Sequence, residues 1–281
     1  MRALPELVIE PLVRAALLED LGRAGDVTTD SIIAADARAT VQLVSRESGV
    51  VAGLPLAVLA WRLVDPRITV EVHLPDGSRV EPGSVIATAC GPARGLLTGE
   101  RVALNFLGHL SGVATGTATI ADAIAHTHAQ VADTRKTIPG LRALQKYAVR
   151  CGGGANHRLG LDDAVLIKDN HIAVAGGVRQ AVEAAKASVG HLVKIEVEVD
   201  SLAMLAELLE VGADVVLLDN MGPHLLREAV AMVDGRMVTE ASGRITPETA
   251  VPIAEAGVDL ISVGWLTHSA KVLDVGLDHV A

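Results

Sequence analysis

Apolar positions change their period along this chain, and the changes divide it. MRALPELVIEPLVRAALLEDLG, at the N-terminus, has helical spacing. After GDVTTD come short alternating runs, ATVQLVSRESGVVAG, ITVEVHLPDGSRV and SVIATACGP, with PLAVLAWRLV at helical spacing between the first two. Gly53, Asp76-Gly77 and Pro82-Gly83 punctuate these runs as turns. The pattern predicts a small mixed α+β domain over residues 1–100. From Thr98 a long helical stretch begins, TGERVALNFLGHLSGVATGTATIADAIA, with a break expected near Gly112.

Beyond it six apolar runs recur: AQVAD, AVLIKD, KIEVEV, VVLLDN, MVTEA and LISVG. Helical segments such as GLRALQKYAVR, VRQAVEAAKAS and SLAMLAELLEVG separate them, which predicts βαβ units and a parallel sheet. The runs end in polar or small residues: Asp133 to Lys136, Lys168 to Asn170, Glu198 and Asp200, Asp219-Asn220, Ser242-Gly243, and Gly264. Polar groups at the C-terminal ends of all the strands build one shared site at the mouth of an α/β barrel. A doubly wound sheet would instead gather them at a switch point behind a Gly-rich phosphate loop. The chain has neither GxGxxG after a strand nor GxxxxGK[ST]. The expectation is an α/β protein: the α+β domain, then a TIM-like barrel over residues 101–265, with 266–281 able to return to the first domain.

Half of the residues are hydrophobic, but there are only two Trp, one Tyr and one Phe, so the core must be aliphatic. The scarcity of aromatic platforms and a net charge of −10 argue against nucleic acid and acidic membranes as partners. Cys90 and Cys151 lack metal-ligand spacing and are expected as free thiols. The N-terminus lacks the basic start and apolar run of a secretory signal, and no charge-free apolar run approaches the roughly 20 residues of a membrane span. A cytoplasmic enzyme is the expectation.

In KIEVEVD, Glu196, Glu198 and Asp200 alternate with valines, so the three carboxylates share one strand face. Facing a barrel interior, they need cations or hydrogen-bond partners. Asp219 ends a neighbouring run in the same way, and an all-oxygen site suits a hard cation such as Mg²⁺. The alternative is a solvated edge strand or a salt-bridged core. Between Asp133 and His171 the charge reverses: seven cations (Arg135, Lys136, Arg142, Lys146, Arg150, Arg158, Lys168) face four acids. Arg142, Lys146 and Arg150 fit a helix surface, whereas Arg135, Lys136 and Lys168 sit at strand ends and point to an anionic small molecule. His157 follows a Gly-rich turn and stands beside Arg158. Ser242-Gly243 and Gly264 occupy the late βα loops, where backbone N–H groups often meet a phosphate.

DTRKTIPGLRALQKYAVRCGGGANHRLGLDDAVLIKDNH, residues 133–171, resembles the signature stretch of quinolinate phosphoribosyltransferases. LLEDLGRAGDVTTD, TGERVALNFLGHLSG, IEVEVDS, LLDN and GWLTHS match that family in the same order, so the resemblance spans nearly the whole chain. It implies an open barrel of seven strands after the N-terminal domain. It also implies transfer of phosphoribosyl from phosphoribosyl pyrophosphate to quinolinate with loss of CO₂, giving nicotinate mononucleotide. Arg135, His157, Arg158 and Lys168 would hold the quinolinate carboxylates, joined by Arg101 from the second subunit of a homodimer. Lys136 and Lys168 would face pyrophosphate; Glu198 and Asp219 would engage Mg²⁺ and the ribose. Thr134 and the loops carrying Ser242, Gly243, Gly264 and Leu266 would complete the substrate site. Arg244 departs from the pattern, since the family usually has a second glycine there.

Three other readings compete. A molybdenum-transport-associated relative would share the chemistry with another acceptor, but the cation set favours a dianion. DGSRVEPGSVIATACGP faintly resembles the hairpin halves of biotinyl and lipoyl carriers, yet no lysine precedes Lys136 to carry the group. A barrel aldolase would use Lys168 as a Schiff base.

Overall fold

The computed structural model describes residues 4–280, which divide into two units. The first holds the chain through Ala118, then Pro139–Gly153, then the chain from Ser269; the second holds Thr119–Ile138 and Gly154–His268. Each has its own aliphatic core.

In the first unit, α1 (Glu6–Leu21) buries Ile9, Val13 and Leu17, one stripe at four-residue spacing. The GDVTTD motif is a helix start: Asp26 accepts from the Thr29 N–H at 2.9 Å and caps α2 (Val27–Ile32). Strands β1 (Arg38–Ser45) and β2 (Gly49–Val50) precede α3 (Leu54–Val64), and β3 (Thr69–Val72), β4 (Arg79–Val80) and β5 (Val85–Pro92) follow it. Asp76 ties the turn before β4 to the start of α3, accepting from the Gly53 and Leu54 N–H groups at 3.0 Å each. The sheet is antiparallel with the order β12-β1-β5-β3, where β12 (Val275–His279) comes from the far end of the chain. Residues after 268 therefore do return to this unit.

The long helix α4 (Ala93–Ala123) is continuous through Gly112. A Cβ at Gly112 would overlap the Lys271 carbonyl oxygen, and the Leu273 N–H reaches the Gly108 carbonyl at 3.0 Å. The glycines let the returning segment lie against the helix, so the expected break is a close approach instead. The division between units also differs from the expected one at residue 100. It falls inside α4, because Leu96, Leu107 and Val113 bury in the first core while Ile120 and Ile124 bury in the second. Helix α5 (Arg142–Cys151), expected in the barrel, packs Leu144, Ala148 and Val149 into the first core. Neither Cys90 nor Cys151 forms a disulfide.

The second unit is a parallel sheet. Its strands are β6 (Gln130–Ala132), β7 (Val165–Ile167), β8 (Ile195–Val199), β9 (Val215–Asp219), β10 (Val238–Ser242) and β11 (Leu260–Ser262). They lie in the order β6-β11-β10-β9-β8-β7. Every strand from β7 to β10 neighbours its successor, and the first strand of this sheet lies beside its last. That circular order belongs to a singly wound barrel and not to a doubly wound sheet. Six strands form ladders among the described residues. A single parallel bridge, Ala132 to Ala155, stands beside β6 where the barrel is open and occupies the place of the expected seventh. Helices α6 (Asp169–Ala175), α7 (Val178–Ser188), α8 (Leu202–Val211), α9 (Pro223–Val233) and α10 (Pro247–Ala254) connect the strands, and the short α11 (Trp265–His268) follows β11. No helix is long and apolar enough to cross a membrane among the described residues.

Candidate active site

Strand alternation decides which side chains meet. Ile167, Val197, Val199, Val216, Leu218, Ala241 and Ile261 face outward into the helix-packed core. Their alternates point the other way: Leu166 and Lys168, Glu198, Leu217 and Asp219, Glu240 and Ser242, and Ser262 all line one cavity of about 530 Å³. Thr134, Arg135 and Lys136 enter it from the loop after β6, His157 and Arg158 from the segment after the Ala155 bridge, and Asn220, Gly243 and Arg244 from the loops after β9 and β10. One mouth thus collects four cations of the charge-reversed stretch and both expected ribose-side carboxylates.

The cavity floor is a polar network. Buried Asp133 accepts from the His157 N–H at 2.9 Å and from Asn156 Nδ2 at 2.6 Å. His157 Nδ1 accepts from the Arg158 N–H at 2.7 Å, so neutral His157 carries its proton on Nε2 and donates it to Glu196 at 2.9 Å. Glu240 lies 3.7 Å from the same nitrogen. His157, Glu196 and Glu240 are close enough to hold a metal ion, but a protonated Nε2 has no lone pair to give. Burial, with Glu196 nearby, pushes the Glu240 carboxyl up to about 7. On the wall, Lys168 donates to Glu198 at 2.9 Å through one of the three N–H groups of its ammonium. Burial lowers the pKa of Arg158, with Arg135 adding to the effect. Arg135 Nε is buried without a partner among the described residues, an unmet donor in the cavity wall.

The chain matches the quinolinate phosphoribosyl transferase N-terminal domain over residues 26–111 and the C-terminal domain over residues 113–278. The chain belongs to the quinolinate phosphoribosyltransferase family. It is 46% identical over 273 residues to the nicotinate-nucleotide pyrophosphorylase [carboxylating] of Mycobacterium leprae, with 95% of each chain covered. It is 42% identical over 272 residues to a probable enzyme of that name from Bacillus subtilis, covering 97% of this chain and 93% of the relative. The structure of the nicotinate-nucleotide pyrophosphorylase from Francisella tularensis superposes with a TM-score of 0.95 at 40% identity, covering 99% and 98%.

In this quinolinate phosphoribosyltransferase most of the expected residues meet, and a few do not. Gly264 borders the site through Lys136, whose Cδ a Cβ there would approach to 2.9 Å. Leu266 is wholly buried in the helix-side core, and its side chain lines no part of the cavity. Asp200 lies past the end of β8, exposed and off the cavity wall, because the strand's alternation stops at Val199. Arg101 is exposed on α4 in the first unit. His157 gives both ring nitrogens to the protein, and neither is left over for a carboxylate. The sequence reading missed Glu240, although its alternation with Ser242 in MVTEAS carried the signal.

Glu240 yields a stability prediction. An unfolded glutamate ionises near 4.5, whereas this one holds its proton to about 7. Below the lower value both states are protonated and nothing is lost. As pH rises through the window, wild type loses stability, and above about 7 the loss is complete. Glu240→Gln has no charge to bury, so relative to wild type it should gain on the order of 1–3 kcal/mol between pH 4.5 and pH 8. Urea unfolding at both pH values measures the gain; a difference independent of pH would refute it.

Proposed function

We propose that this chain transfers phosphoribosyl from phosphoribosyl pyrophosphate to quinolinate, releasing pyrophosphate and CO₂ and leaving nicotinate mononucleotide. The observation that carries the reading is the unmet Arg135 donor in a cavity shared with Arg158, Lys136 and Lys168. A planar dianion satisfies such a set, and arginine forks suit each carboxylate. Arg135, Arg158 and Lys168 take the quinolinate carboxylates, while His157 holds the Arg158 backbone in place. Lys136 and Lys168 face the pyrophosphate.

Departure of pyrophosphate builds positive charge at ribose C1, and Glu198 and Asp219 stabilise it. Lysine stabilises the opposite charge on the leaving group. The quinolinate nitrogen then bonds to C1 and becomes cationic. When the C–C bond to the 2-carboxylate breaks, that ring takes up the electron pair, and a proton replaces the carboxylate. The loops at Ser242, Gly243, Gly264 and Leu266 are assigned to the 5′-phosphate through their backbones.

Glu198 and Asp219 also fit Mg²⁺. Lys168 engages only Oε2 of Glu198, and Asn220 Nδ2 engages only Oδ2 of Asp219 at 2.6 Å, which leaves one oxygen of each without a protein partner among the described residues. When bound there, Mg²⁺ would neutralise charge on the substrate's pyrophosphate. The proposed active unit is a homodimer in which Arg101 completes the partner subunit's site.

The test is incubation with quinolinate, phosphoribosyl pyrophosphate and Mg²⁺. Nicotinate mononucleotide, CO₂ and pyrophosphate should appear in equal amounts. Nicotinate lacks the 2-carboxylate and leaves cavity cations unpaired, so it should be a far poorer acceptor. Equal turnover of the two acids would sink the assignment.

A further inference from the structure

One cavity cation has no part in the chemistry above. Arg244 lines the cavity wall beside Ser242 and Gly243, and together with Asn220 and Gly243 it also walls the adjoining cavity. Its backbone is left-handed, with φ of 48°. Among the described residues only Asn220 and Asp234 share that feature outside glycine. Asn and Asp enter this region readily, whereas arginine does so at a steric cost.

The turn cannot relax out of it. On one side Gly243, at φ 110°, packs where a Cβ would overlap the Asn220 side chain, and the Asn220 N–H donates to the Ser242 carbonyl at 2.9 Å. On the other side Ile245 is 3% exposed, and its carbonyl accepts from Trp265 Nε1 at 2.9 Å. Residue 244 is held between two anchors, so its strained conformation is imposed by the surroundings. The exposed side chain forms no hydrogen bond or ion pair among the described residues.

We propose that Arg244 is a specificity determinant that clamps a phosphomonoester, the 5′-phosphate of phosphoribosyl pyrophosphate, at the β9–β10 side of the mouth. The assignment rests on the proposed function. Quinolinate and pyrophosphate have their cations on the β6–β7 side. A ribose held at Asp219 presents its 5′ end to the loops after β9 and β10, where Arg244 stands. A guanidinium fork suits phosphate oxygens better than an ammonium does.

The experiment compares wild type with Arg244→Asn, which tolerates the left-handed backbone, and with Arg244→Lys, which keeps the charge. For Arg244→Asn, KM for phosphoribosyl pyrophosphate should rise about 10- to 100-fold. The inhibition constant of inorganic phosphate should rise in parallel, while KM for quinolinate stays put and Tm is unchanged or higher. Arg244→Lys should fall between. Unchanged KM and phosphate inhibition in Arg244→Asn overturn the clamp, and so does a rise confined to quinolinate. If wild type makes no nicotinate mononucleotide, the proposed reaction falls. Phosphate protection against thermal unfolding, compared between wild type and Arg244→Asn, then still decides whether Arg244 binds phosphate.

Discussion

Glu198→Ala and Asp219→Ala are each expected to lower kcat by roughly 10²–10⁴-fold with the fold intact. Both carboxylates end inward-facing strand positions on the cavity wall. Their negative charge is in place before reaction, so it stabilises a ribose cation without the reorganisation that water would need. Glu198 carries a second duty, since its loss frees Lys168 from a 2.9 Å ion pair. Its variant should therefore also change KM for quinolinate, whereas Asp219→Ala should not. Asp200→Ala is the control: the same sequence alternation, one exposed position past the strand. Circular dichroism establishes folding, and steady-state kinetics reads the loss. If both variants keep near-normal rates at low Mg²⁺, the ribose and metal assignment is wrong.

Mixing two dead variants should restore activity. Arg101→Ala and Lys136→Ala are each expected to be inactive alone. When their subunits exchange, half of the dimers are mixed, and in each mixed dimer one site carries both defects and the other neither. About a quarter of all sites should then work. Arg101 lies exposed on α4 in the first unit, and it does not line the cavity. A mixture that stays inactive after proven exchange would show that Arg101 serves its own subunit or none.

Much of this architecture was legible because periodicity reports directly on burial. The alternation of IEVEV placed Val197 and Val199 outward and Glu198 inward before any coordinates, and the polar strand ends located the mouth. What escaped was whatever depends on partners distant in sequence. The division inside α4 leaves no mark, because an amphipathic helix passing from one core to another keeps its period. Gly112 reads as a helix breaker until the segment it accommodates, near Lys271, is known. The allocation of α5 to the first core was hidden for the same reason. The bond from His157 Nε2 to Glu196 was likewise invisible, since Glu196 lies 39 positions away in the chain.

The pairing of β1 with β12 bears on the order in which the chain acquires its structure. Val41 to Ser45 wait for Val275 to His279, a strand made after Glu240, Lys168 and the rest of the barrel. A nascent chain can therefore assemble its catalytic barrel before its amino-terminal sheet is whole, although that sheet begins first. Until β12 arrives, one edge of β1 is an open row of backbone donors and acceptors, the kind of edge that recruits other chains. Contacts of such long sequence separation also form slowly. The vulnerable interval then runs from the synthesis of β1 to that of β12, and the first unit is where misassembly would start.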